Sequence, residues 1–158
     1  MPYRPAHLAQ LTGLRDNGRV VAGGPEPDGG TAHIFYRVAD RAALDRLIAD
    51  NESQRAGLFA AHEARAFDEF LEPTERLPPD AGWRVTLVEG PPSDRARARE
   101  ALTTLRAQKL ANLGGFFTDG SALVVVRLPE PDAAIATLAG AGGWEPAHLT
   151  ARPWSQTL

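Results

Sequence analysis

His7 stands on a stretch with helical periodicity, Arg4-Pro5-Ala6-His7-Leu8, at the edge of an apolar stripe formed by Leu8, Leu11 and Leu14. An imidazole with an ordinary pKa of about 6.5 suits proton transfer near neutral pH, provided that a second group fixes which ring nitrogen carries the hydrogen. Arg4 lies one turn before it, where its planar fork could clamp an anionic substrate; the alternative is a solvated residue at a helix end. The other histidines, His33, His62 and His148, have no His-x-x-x-His spacing, so no metal site is expected. His33 alternates on the same side of its strand as Phe35 and Arg37, where it either lines a cleft between sheets or is a hydrogen-bonded core residue. Gly23-Gly24-Pro25 forms neither GxGxxG nor a P-loop, so nucleotide binding is unsupported and no cofactor is expected. With no cysteine in the chain, thiolate chemistry and disulfides are excluded.

These residues have to be positioned by a chain of 158 residues with 43% hydrophobic and 23% charged content, ordinary values for a globular protein. Such a length suits one average domain or two small ones sharing a core. The formal net charge of -3 and the interleaving of both signs leave no basic stripe for a phosphate backbone, so nucleic acid is not an expected partner. The N-terminus has no basic region followed by an apolar run, and no segment reaches the ~20 apolar residues of a membrane span. A cytoplasmic protein with a small-molecule ligand and no membrane association is the expectation.

Periodicity predicts a helix over Pro5 to Asn17, a strand over Arg19 to Ala22, a glycine- and proline-rich turn, and a strand over Thr31 to Val38. A helix over Arg41 to Ala49 capped by Asp40 and a strand over Ala61 to Phe67 follow. Pro73, Pro78, Pro79 and Gly82 mark a linker over 71–82. The pattern then starts again, with a strand over Trp83 to Glu89, a stop and helix cap at Pro91-Pro92-Ser93, and a helix to about Asn112. Two strands around the Asp119-Gly120 turn come next, then a helix over Asp132 to Ala139 and a strand over Ala147 to Trp154. Gly30 to Val38 can be laid over Gly120 to Leu128, and Ala64 to Phe67 over Ala151 to Trp154, which suggests a divergent internal duplication. Both faces of the strand after Gly120 are apolar, so one can lie under helices and the other against a second sheet.

The order Arg4-Pro5-Ala6-His7-Leu8, Gly18-Arg19-Val20-Val21-Ala22-Gly23-Gly24-Pro25 and Arg55-Ala56-Gly57-Leu58-Phe59 resembles the YCII-related (YciI-like) family. That resemblance implies an α+β, ferredoxin-like fold of the dimeric α+β barrel type. Here it takes the form of a tandem, intramolecular pseudo-dimer with a YCII-related domain at 1–70, a proline-rich linker at 71–82 and a divergent second half at 83–158. The chain would be a monomeric pseudo-dimer or a homodimer. The first half begins at its helix, so its first strand is expected either upstream of Met1 or to be replaced by another segment. The resemblance further implies a histidine paired with an aspartate. His7 fills the first place, while the second falls on Asn51, with Asp50 one residue earlier. A carboxylate stabilises the imidazolium, whereas an asparagine only orients the ring. Two functional readings follow. One is a metal-independent lyase or isomerase, as the family's dehydrochlorinase and the related muconolactone isomerases suggest, with His7 as acid or base oriented by Asp50 or Asn51. The other is a non-catalytic ligand-binding or dimerisation module whose reactive pair has decayed.

Overall fold

The computed structural model describes residues 4–57, 59–76 and 82–158. Leu58 and residues 77–81 of the proline-rich stretch lie outside the described residues. The chain is a mixed α+β fold with two antiparallel sheets. Helix α1 (Arg4–Asp16) leads into the hairpin β1 (Val20–Pro25) and β2 (Ala32–Tyr36), then α2 (Arg41–Ala49), the short α3 (Glu52–Arg55) and β3 (Phe67–Leu71). After these come β4 (Trp83–Gly90), α4 (Arg95–Ala107), β5 (Ala111–Phe117), β6 (Ala122–Val126), α5 (Pro131–Ala141) and β7 (Thr150–Gln156). Strands β1 and β2 form one sheet, while the other runs β3-β5-β6-β4-β7.

Alternation along the strands decides which layer each side chain enters. Val88, Val124 and Val126 face α4 and α5, where Ala98, Leu102, Leu105, Ala134 and Leu138 bury against them. Val85, Leu87, Leu123 and Val125 face the opposite way, onto Ala22 and Phe35 of the hairpin, with Phe117 and Trp154 in the same layer. The two sheets therefore face each other across an apolar layer. Helix α1 covers the outside of the hairpin through Leu8, Leu11 and Leu14, packed with Val20, Ile34 and Tyr36.

The sheets also join at an edge. Gly23 donates to the Leu158 carbonyl at 3.4 Å and accepts from the Thr157 and Leu158 amides at 2.9 and 3.0 Å. Glycine is required where backbones come closest, as at Gly24 and Gly115. A Cβ on Gly24 would sit 2.0 Å from the Ser155 carbonyl oxygen, and one on Gly115 would sit 2.4 Å from that of Glu69.

Several boundaries differ from those predicted. The third strand begins at Phe67, where the expected one ended, and it includes Leu71, which was assigned to the linker. It pairs antiparallel with β5, placing Phe70 opposite Gly115. Just before it, the Arg65 guanidinium pairs with Glu89 and lies 3.1 Å from Asp119, tethering that residue to the other half. The helix expected to reach Asn112 ends at Ala107. Lys109 adopts φ 60°, a left-handed turn rare outside glycine, and the chain enters β5 at Ala111. That helix is capped by Asp94, whose carboxylate accepts from the Arg97 amide at 3.0 Å, and not by the Pro91-Pro92-Ser93 run. Asp40 caps α2, accepting from the Ala43 amide at 2.7 Å. Among the described residues, no helix is long and apolar enough to cross a membrane.

Candidate functional site

The site is built where the first turns of α1 meet the corner between α2 and α3. Asp50 caps the C-terminus of helix α2, and Asn51 precedes α3, accepting the Arg55 amide on its carbonyl at 3.0 Å. The Asn51 side chain is buried at this corner, the residue being only 4% exposed. Its Oδ1 lies 3.1 Å from Nδ1 of His7. An amide oxygen can only accept, so Nδ1 of His7 carries the hydrogen and Nε2 keeps its lone pair. One turn along α1, Gln10 Nε2 donates to the Asp50 carbonyl at 2.9 Å and fixes the helix to the same corner.

Two aromatic residues complete the surroundings. Phe59 meets the imidazole edge-on, with ring centroids 6.1 Å apart. The Tyr36 hydroxyl shares Asn51 with His7. Burial raises the Tyr36 pKa, and the bond to Asn51 works against that rise, as an amide N–H donated to the phenolic oxygen must. Asn51 thus offers its oxygen to His7 and its amide hydrogen to Tyr36, which leaves its amide group one orientation. Burial lowers the His7 pKa below 6.5, and the Asn51 bond offsets part of that drop. The imidazole is accordingly neutral at physiological pH and able to accept a proton.

The structure brings together only part of the predicted set. His7 and Asn51 meet, but Asp50 turns outward and pairs with Arg55 at 2.9 Å, both side chains being well exposed. His33 does not join them. It lies 2.9 Å from Glu26 across the hairpin turn, on the Phe35 side of β2, whereas Tyr36 faces α1. The side chain of Arg4 lies outside the described residues. His62 borders an open hollow of about 420 Å³ with Asp45, Ile48, Ala49, Gln54 and Arg55, a set that does not include His7. Among the described residues, no three His, Asp or Glu side chains converge as a metal site would require. Sequence reasoning missed Tyr36, Gln10 and Phe59. Tyr36 was within reach, because it shares the Ile34 side of its strand, the side that an amphipathic helix at His7 must cover.

Comparison of the chain with protein-family models, with curated proteins and with solved structures finds no match.

Proposed function

We propose that the chain is a YCII-related protein of the dimeric α+β barrel type, with two ferredoxin-like units in one polypeptide. Residues 83–156 run β4-α4-β5-β6-α5-β7 with strand order β5-β6-β4-β7, the ferredoxin-like arrangement. From α1 onward, the first half repeats that order as helix, hairpin, helix and strand. Strand register adds independent support. The sequence overlay matches His33 to Leu123, and their cross-strand partners are Gly24 and Gly115. The next pairs are Ile34 with Gly23 and Val124 with Gly114, so the Gly-Gly steps of the two hairpins correspond. Irregular register follows the equivalent positions Val20 and Ala111 in both. The halves also exchange edges reciprocally: β3 pairs with β5, and Thr157 and Leu158, directly after β7, bond to Gly23 in β1.

On that scaffold we assign His7 as the acid-base residue of a metal-independent lyase or isomerase acting on a small organic acid or phenol. The observation that carries this reading is the 3.1 Å bond from His7 to buried Asn51, on an imidazole whose pKa burial lowers. With the hydrogen fixed on Nδ1, Nε2 takes a proton from an acidic carbon; in an isomerisation it returns that proton to another atom of the substrate, and in an elimination the C–H electron pair forms the double bond, the leaving group departs with its own bonding pair, and the proton passes to that group or to solvent. Such chemistry needs no metal, because the protein itself has only a proton to transfer. Asn51 orients the ring but carries no charge to stabilise the imidazolium, which makes the couple weaker than one with a carboxylate.

That same feature favours a second reading, a binding module without turnover, since the nearby Asp50 carboxylate is engaged by Arg55 and not by His7. Thermal shift with a panel of small carboxylates and phenols, run on the wild-type chain and on His7→Ala, tests both. A ligand that stabilises only the wild type supports a site at His7, and its conversion to product selects the enzyme. Equal stabilisation of both chains removes His7 from the site, and binding without conversion selects the module.

A further inference from the structure

Asn51 serves two rings at once. Its Oδ1 accepts from Nδ1 of His7 at 3.1 Å, and its amide N–H donates to the Tyr36 hydroxyl. The asparagine is buried, whereas His7 and Tyr36 are each only half-buried. One inner group therefore holds both rings, and part of each stays open to solvent. Tyr36 reaches this corner from β2, where it lies opposite Val20 and packs in one cluster with Leu8, Leu11 and Leu14 of the helix that carries His7.

What the two rings have left to offer is opposite. His7 keeps its hydrogen on the nitrogen turned to Asn51, so Nε2 presents a lone pair. The Tyr36 oxygen accepts from Asn51, which leaves the phenolic hydrogen available, and no acceptor takes it among the described residues. An aspartate at position 51 has no N–H to give and would itself accept the Tyr36 hydrogen. The neutral amide is thus the side chain that orients both rings and leaves both reactive. Burial lowers the His7 pKa and raises that of Tyr36, so near neutral pH one is an unprotonated base and the other a protonated donor. Environments that push two groups apart in this way separate the base from the acid.

We infer that Tyr36 is the second catalytic residue of this site, donating its hydrogen bond to a carbonyl oxygen of the substrate while His7 acts on the adjacent carbon. The inference rests on the acid-base reading of His7 above, and it narrows the substrate to an enolisable carbonyl compound, whose acidic C–H lies beside a C=O. Nε2 takes the proton, the C–H electron pair forms a C=C bond, and the carbonyl π pair moves onto oxygen, where the developing charge meets the Tyr36 hydrogen. The imidazolium then returns a proton to the same carbon or to a conjugated one. Nothing else is consumed.

The test follows the loss of the C2 proton signal of acetoacetate in deuterium oxide by NMR, with the full chain. The imidazolium exchanges its hydrogen with solvent before returning it, so each turnover carries deuterium into the probe. Wild type is expected to speed the exchange, His7→Ala to abolish that acceleration, and Tyr36→Phe to reduce it about 100-fold or more. A second measurement keeps the shape of the ring. The chain has two tyrosines, Tyr3 and Tyr36, so 3-fluorotyrosine incorporated in a Tyr3→Phe background modifies Tyr36 alone. The more acidic phenol should quicken the exchange about two- to threefold, a change that a merely structural role would not produce. If Tyr36→Phe disturbs folding, the fluorinated chain decides. A wild-type rate in Tyr36→Phe, or a rate that fluorination leaves unchanged, overturns the role of Tyr36 and leaves His7 as the base. No acceleration by the wild-type chain overturns both.

Discussion

The indole of Trp154 donates to the carbonyl of Gly24 at 2.7 Å, a buried bond that fastens the hairpin sheet to the last strand of the other sheet. The ring also meets Phe35 edge-on at 5.8 Å, so hydrogen bond and packing act at one point. Trp154→Phe keeps an aromatic ring but leaves the Gly24 carbonyl buried without this donor. Its expected cost is about 1–3 kcal/mol, read as a lower midpoint in urea denaturation.

Gly24 and Gly115 hold equivalent positions in the two-unit reading, and their alanine variants are expected to behave alike. A Cβ at either meets a backbone oxygen at 2.0 or 2.4 Å, a clash that no rotamer relieves. Gly24→Ala and Gly115→Ala should each cost about 3 kcal/mol. Gly13, inside α1, is the contrast: nothing lies within 4 Å of its added Cβ, so Gly13→Ala should gain about 0.5–1 kcal/mol. Equilibrium denaturation of the three variants checks the pattern. Tolerance at either of the first two positions would break the equivalence.

The lowered pKa of His7 gives stability a defined pH dependence. Above pH 6.5 the imidazole is neutral whether the chain is folded or not, and the full contribution is present. As pH falls below 6.5 the unfolded chain binds the proton first, so stability declines until the folded midpoint is passed. His7→Gln should flatten this part of the curve. Proton NMR titration of the wild-type ring should give a midpoint below 6.5.

Replacing the neutral partner tests how the couple works. Asn51→Asp places a carboxylate beside the His7 Nδ1–H and should raise the imidazole pKa. Asn51→Ala, which removes the bond opposing burial, should lower it further. Asp50→Asn should leave it where it is, because that carboxylate is held by Arg55. Ring-proton titration of the three variants distinguishes these outcomes.

Local signals were legible wherever neighbouring residues decide the structure. Asp40 followed by Leu44, Leu47 and Ile48 fixed α2 at both ends, because its cap and apolar face lie within ten residues. Lys109 gave no such signal. A lysine rarely takes positive φ, and the turn is held by the Leu110 amide donating back to the Leu105 carbonyl at 2.9 Å, a helix ending that glycine normally marks. The placement of β3 was also hidden, since Arg65, inside the expected strand of Ala61 to Phe67, is drawn to Glu89 and Asp119, residues 24 and 54 positions away. At the site, the His7 to Asn51 spacing of 44 residues came from family resemblance, and the geometry chose Asn51 over Asp50. The choice depends on which residue opens α3, a detail that composition does not encode.

Because β3 belongs by sequence to the first half and by its backbone ladder to the second, neither half has a boundary of its own. Damage to one is felt by both, and the molecule should melt in a single step. Supplied as two separate polypeptides parted between Leu71 and Trp83, the pieces should recover their structure only on mixing. On the two-unit reading, the chain should behave as an interlocked pair, in which each member is a cofolding partner for the other.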